Sequence, residues 1–437
     1  MVFLDYAILT IRKGKETYMK NSTIAPSNKN VSYVPTLLIM STAYIAVGIN
    51  VQGFKAMLPL VSADFEISGT QAGLYATFFF LSGTLLAIAS GRVVDRIGPK
   101  KSLVGATVII ASLMFLHILM PAFSLLLLLA FLTGIGFSII TPAINKGVMN
   151  LVPPEKRATS IGLAQAGGGI GGILGASLLP LLGDIFGWRT ALLVAAIVAF
   201  LMALVLGKFY HQKMNVNNSA DQDSKDSKST LKEDFKQLIG NPVLLFLCLM
   251  GSVFGFTMGN MTIHYTLFLT GDIGLTPAFA GFSLSAFMFG GIIGQPTMGY
   301  VNDRFFNSNR RFGLFLLGLI SSIMLFIVGF VVFLGNIGFI SILAISFIFG
   351  IFALAIPGLV FTTIGDVVKD ELVGTATGIA LVFIRTGVVV GPPLIGFIAD
   401  IRGNYQTGWI LLAITILMIS FIFFIGTKKY KNQLYGG

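Results

Sequence analysis

Two basic residues, Lys55 and Arg385, stand inside long apolar stretches of a 437-residue chain, while all 18 of its acidic residues fall between such stretches or at their ends. A cation in hydrocarbon costs at least ~2.5–3.5 kcal/mol on an insertion scale, so one that is kept there is a candidate for function. Arg385 follows the start of its stretch by about 11 residues, or roughly 17 Å at 1.5 Å per residue, near the middle of a core ~30 Å thick. A guanidinium at that depth can grip a carboxylate or phosphate through two parallel hydrogen bonds. It can equally be satisfied by helix carbonyls or water. Lys55, four residues before Pro59, reads either as a second positive point for the same anion or as a side chain snorkelling to the headgroups.

Other polar residues in the apolar stretches extend the candidate substrate site. Asn50 and Gln52 accompany Lys55, although one helix face cannot present all three. Asn260 and His264, spaced i, i+4, do share a face. There His264 reads as a carrier of a co-transported proton or as a hydrogen-bonded histidine between helices. Gln295 completes the set, and the run Phe78 to Phe80 reads as packing or lipid-facing. The absence of embedded carboxylates argues against cation transport and against proton coupling through Asp or Glu. Cys248 is the single cysteine and there are three histidines, so neither an internal disulfide nor a metal cluster is expected. No catalytic nucleophile or nucleotide motif is present; the expectation is a protein with no enzymatic activity and no cofactor.

The elements that carry these residues must be membrane helices. The composition is 55% hydrophobic and 11% charged, with mean hydropathy +0.88, against roughly 25% charged residues in ordinary soluble domains. Long, continuous apolar runs select helices over a barrel, because in lipid every backbone group must be satisfied within the structure. Twelve segments are expected, near 34–62, 69–91, 102–120, 123–146, 157–182, 187–209, 242–270, 276–301, 312–334, 338–365, 372–398 and 406–426. The fold class is therefore all-α, with twelve transmembrane helices in two pseudo-symmetric six-helix bundles. The division is an N-terminal arm 1–33, bundles 34–209 and 241–427, a polar linker 210–240 and a tail 428–437. The first strong apolar run begins too late and runs too long for a cleavable signal peptide, and Met19 offers an alternative start.

With the N-terminus inside, 25 of the 29 Lys and Arg fall on inner segments and only Arg189 and Arg402 on outer loops. That bias predicts a cell-membrane protein with both termini cytoplasmic. It also accounts for the net charge of +11 without a nucleic-acid partner.

The halves echo one another. GRVVDRIGPKK from Gly91 returns as GYVNDRFFNSNRR from Gly299, and the pairs Gly91/Gly299, Asp95/Asp303, Arg96/Arg304 and Gly73/Gly281 all share one offset of 208. A second echo joins the fifth and eleventh segments, where Asp184/Asp400 and Gly187/Gly403 are offset by 216. Those segments carry Gly167, Gly168, Gly171 and Gly172, and Gly391, Pro392 and Pro393, read either as static close packing or as points where a helix bends.

Twelve spans in two halves with Gly-x-x-x-Asp-Arg-x-Gly-x-Lys-Lys after the second segment closely resemble the major facilitator superfamily. PPEKRATSIGLA after the fourth segment, GWR at Gly187 to Arg189 and VGPPLIGFIAD in the eleventh support it. The resemblance implies secondary transport by alternating access around a midplane site. It also implies a cytoplasmic gate at Gly91, Asp95, Arg96, Gly98 and Lys100, with Asp303 and Arg304, latching the cytoplasmic ends of the two halves in the outward-open state. Two departures separate the chain from proton-coupled drug exporters: Ala130 stands where they favour Arg, and Gly167-Gly168 where they favour Gly-Pro. The expected cargo is a small organic anion, a carboxylate, taken up or exchanged by a monomer within membrane lipid; the alternative is efflux of drugs or hydrophobic metabolites.

Overall fold

The computed structural model describes residues 33–210, 238–334 and 337–434. The N-terminal arm before Tyr33 and nearly all of the 210–240 linker lie outside them. The regular elements among the described residues are helices, joined by short turns. The first half comprises α1 (Val34–Ala56), α2 (Leu58–Phe65), α3 (Gly69–Leu85), α4 (Ala87–Ile97), α5 (Pro99–Leu119), α6 (Phe123–Leu151), α7 (Arg157–Phe186) and α8 (Trp188–Phe209). The second half comprises α9 (Pro242–Gly271), α10 (Pro277–Phe305), α11 (Arg310–Phe330), α12 (Phe339–Ala353), α13 (Ile356–Val367), α14 (Val373–Arg402) and α15 (Gln406–Gly426). Eleven helical stretches are long and apolar enough to cross a membrane, and the pair α3/α4, bent by 60°, makes a twelfth.

The helices depart from the hydropathy segments in two ways. Several run past their apolar cores, so Asp184 and Asp400 remain helical. The charged stretch from Gly91 is also mostly helix: α4 continues to Ile97, and the connection to α5 is Gly98 alone, at φ +84° with Pro99 following. Glycine tolerates that backbone and proline starts the next helix well. In the echo, left-handed Asn307 and Ser308 make the turn. The first segment breaks at Met57 and the tenth at Leu354–Ala355, in each case two residues before a proline, which has no N–H to continue the helical ladder.

Within each half, glycines bring helices to backbone contact. A Cβ on Gly167 would lie 2.6 Å from the Ser41 carbonyl, and Gly171 and Gly175 meet Ile45 and Ile49 of α1 in the same way. Gly255, Gly259 and Gly387 hold α9 against α14. The glycines that could bend α7 thus serve close packing in this conformation. Both α7 and α14 run unbroken, α14 through Pro392 and Pro393.

Candidate functional site

Between the halves, α3 packs on α14 and α7 on α10. The hydrogen bonds that tie the halves together fall at the end remote from the basic turns, called here the far end. There Asp400 accepts from Gly69 N, Thr70 N and Thr70 Oγ1, Thr77 Oγ1 donates to Val389 O, and Ser285 Oγ donates to Ile173 O. On the basic-end side of this seal lies a cavity of about 630 Å³. It is walled by α1, α3, α4, α6 and α7 from the first half and by α9 and α14 from the second.

Arg385 enters the cavity from α14. It is half-buried, and among the described residues it has neither a hydrogen bond nor an ion pair. Among the described residues no acidic side chain lines the cavity. Lys55 reaches the same cavity from the last turn of α1. It is 1% exposed, so it does not snorkel. Its Nζ donates to Gln52 Oε1 at 3.1 Å and lies 4.6 and 4.5 Å from the ring centroids of Phe79 and Phe80. The two rings replace part of the lost hydration by cation–π attraction, worth about 0.5–2 kcal/mol each. Of the phenylalanine run, only Phe78 is turned outward.

The other expected ligand groups lie elsewhere. Asn50 donates to Ala46 O and Ala195 O at 2.9 and 3.0 Å, joining α1 to α8. Asn260 bonds the Phe256 carbonyl of its own helix, and His264 Nε2 donates to Pro392 O at 2.7 Å with its ring beside Tyr405. Gln295 is exposed on α10. Sequence reasoning missed a neutral polar wall from the first half: Tyr44 OH meets Thr141 Oγ1 at 3.2 Å, and Gln165 Nε2 donates to Asn145 Oδ1 at 2.9 Å, with Thr84 and Ser138 nearby in the lining. The i, i+4 spacing of Thr141 and Asn145 inside an apolar run was the available signal.

At the basic end the expected latch between halves is not formed in this conformation. Asp95 pairs with Lys146 at 2.7 Å, within the first half. Asp303 pairs with Arg310 at 2.5 Å, and Arg310 also bonds Asp366 at 3.0 Å, within the second. Arg96 and Arg304 are exposed, Lys100 is half-buried and Gly91 has open space around it. Nothing in their spacing marks Lys146, Arg310 and Asp366 as partners, because the fold alone brings them to these carboxylates and to one another.

A family model described as Major Facilitator Superfamily matches residues 40–270 and 251–434. The chain is similar to the hexuronate transporter of Bacillus subtilis (strain 168), 24% identical over 393 residues that cover 86% of this chain and 90% of that protein. It is also similar to the quinolone resistance protein NorA of Staphylococcus aureus, 23% identical over 384 residues, covering 86% and 92%. Among solved structures, a bacterial homologue of the human lysosomal transporter Spinster, in an inward-facing and unoccupied conformation, superposes with a TM-score of 0.72 at 17% identity, covering 93% of this chain and 98% of that one.

Proposed function

This chain belongs to the major facilitator superfamily and is a multi-span secondary transporter, and we propose that its cargo is a small organic anion, a carboxylate, moved by uptake or exchange. One observation carries the reading: Arg385 faces a closed-ended cavity with no partner among the described residues and no acidic residue in the lining. An anion is the ligand that satisfies such a guanidinium, through a bidentate pair. Lys55 adds a second positive charge from the opposite half, and Gln52 orients it. A ligand held between Arg385 and Lys55 would draw the halves together, which is what alternating access requires of cargo. With the basic end cytoplasmic, as the Lys/Arg distribution supports, the cavity is the inward-facing form of the site. The similarity to a hexuronate transporter makes sugar acids the first carboxylates to try.

The test is uptake of radiolabelled hexuronate and of a simple monocarboxylate into proteoliposomes. Arg385→Gln should abolish accumulation while the protein remains folded and inserted; undiminished uptake by that variant would overturn the anion reading. A second reading is efflux of hydrophobic compounds. It draws on the second half's share of the wall, which apart from Arg385 is Phe254, Met258, Leu381, Ile384 and Val388. Drug resistance on overexpression that survives Arg385→Gln would select it.

A further inference from the structure

The two far-end seams repeat one plan. In α14, Pro393 cannot donate to Val389 O, and Thr77 of α3 takes that carbonyl at 2.6 Å. In α7, Pro180 cannot donate to Ala176 O, and Gly281 of α10 packs directly on that oxygen. Gly73, the repeat partner of Gly281, packs on Pro392, where a Cβ would come within 2.5 Å of the carbonyl carbon. Glycines on one helix let its backbone approach the proline-bearing helix of the other half, and in the α3–α14 seam the Thr77 hydroxyl satisfies the carbonyl that Pro393 frees.

The plan is broken at one point. Asp400 accepts from Gly69 N at 2.6 Å, Thr70 N at 2.9 Å and Thr70 Oγ1 at 2.5 Å. These amides are the first two of α3. The third, Gln71 N, is already taken by Ser68 in a capping box. Helix starts leave such donors without intrahelical partners and favour a negative charge. Asp184, the repeat counterpart of Asp400, is exposed and has no hydrogen bond among the described residues. The matching helix start has less to offer it: α10 opens on Pro277, which has no N–H, and Thr276 caps Phe279 N from its own chain. Gly69 adds room, since a Cβ there would stand 3.0 Å from Asp400 Oδ1, from Gly396 O and from the Tyr405 hydroxyl.

We propose that Asp400 is the latch of the far-end gate. Its carboxylate clamps the start of α3 and holds the basic-end-open form, whereas the α7–α10 seam closes by packing and the single Ser285–Ile173 hydrogen bond and carries no such carboxylate latch among the described residues. The far end must part for cargo to reach the site from that side, and the three bonds to Asp400 are then lost together. The assignment does not depend on what the cargo is.

The experiment is a spin-label distance measurement across the far end in the full-length protein in nanodiscs. The labels go on Ala63→Cys (α2, exposed) and Gly271→Cys (end of α9, open space) in a Cys248→Ser background. The parent should show mainly a short distance. Asp400→Asn should raise a longer population relative to the short one by roughly tenfold or more, the weight of one hydrogen bond to a charged group. Thr70→Ala, which leaves the carboxylate in place and removes one donor, should shift it in the same direction by a smaller factor and decides the matter if Asp400→Asn does not fold. Asp184→Asn should leave the distribution unchanged. Parent-like distances in both Asp400→Asn and Thr70→Ala, or an equal shift in Asp184→Asn, would overturn the assignment.

Discussion

The hydroxyl of Thr77 in α3 donates to the carbonyl of Val389 in α14 at 2.6 Å, joining the halves through an acceptor that Pro393 sets free. In a helix that carbonyl would otherwise bond the amide four residues on. A proline there leaves it bare, and a bare carbonyl in hydrocarbon costs several kcal/mol. The same residue that interrupts one ladder thus creates a docking point for the other half. Transport needs such a bond to be breakable, and a hydroxyl–carbonyl bond with a net worth of about 0.5–1.5 kcal/mol meets that need.

Thr77→Val keeps the shape and removes the donor. The far-end seam should loosen without loss of fold: hydrogen exchange of amides in the first turns of α3 should quicken by about two- to tenfold, in line with one neutral hydrogen bond. Thr77→Ser should stay close to the parent. Equal exchange in Thr77→Val and parent would mean that Gly73 packing and the Asp400 bonds set the seam without this hydroxyl.

Lys55 separates stability from binding. Its ammonium is buried with a single neutral acceptor among the described residues, Gln52, and buried charge without a counter-charge is expensive. Lys55→Met retains the apolar stem between Phe79 and Phe80, so thermal stability should hold or rise. Anion-induced stabilisation of the melting temperature should shrink, because one of two positive points is gone. A large fall in stability would instead make Lys55 a structural residue held by its aromatic contacts.

Much of this was legible beforehand, and the reasons are physical. Hydropathy reads the spans because lipid admits only self-satisfied helices. The offset of 208 that pairs Gly73 with Gly281 marked two residues that both meet a proline-bearing helix at a seam, although their role was not evident from spacing. Arg385 was legible because a charge in hydrocarbon is conspicuous. Asn145, Gln165 and Thr141 were not: uncharged polar residues in apolar runs bond helix carbonyls as readily as ligands, as Asn50 and Asn260 do here. The orientation of Lys55 turned on whether Phe79 and Phe80 face inward, which is a matter of tertiary packing. Asp400 read as a helix-end charge, and only the approach of α3 gives it partners.

Asp272, at the C-terminal end of α9, gives a pH signature. Burial pushes its carboxyl above the usual carboxylate range, partly opposed by the hydrogen bond it accepts from Tyr405 N at 2.7 Å. An acid whose pKa is raised by folding binds its proton more readily in the folded state. Stability from this group is therefore full at pH below the unfolded value near 3.8 and declines as pH rises through the folded value. Asp272→Asn keeps an acceptor for Tyr405 and removes the charge. Its melting temperature should exceed the parent's at pH 7, with the gap closing toward pH 4. A variant less stable than the parent at pH 7 would show that the charged hydrogen bond outweighs desolvation.

Gly91 tests whether the basic end closes as tightly as the far end. In this conformation nothing among the described residues approaches within 4 Å of a Cβ built on Gly91, whereas a Cβ on Gly171 would strike the Ile45 backbone. Gly171→Ala should therefore impair folding and membrane yield by forcing α1 from α7. Gly91→Ala should fold at least as well as the parent, since alanine is favoured over glycine inside a helix by roughly 0.5–1 kcal/mol, and α4 is helical there. Alternating access requires the basic ends of the halves to meet once the far end parts, and at the far end that meeting is glycine on backbone. Gly91→Val should then bind anion in the basic-end-open form, read as a parent-like thermal shift, while its turnover in proteoliposomes falls by at least about tenfold. Parent-like turnover would show that the closed basic end leaves room for a side chain at position 91, and that the Gly91 stretch does not form the contact surface of that gate.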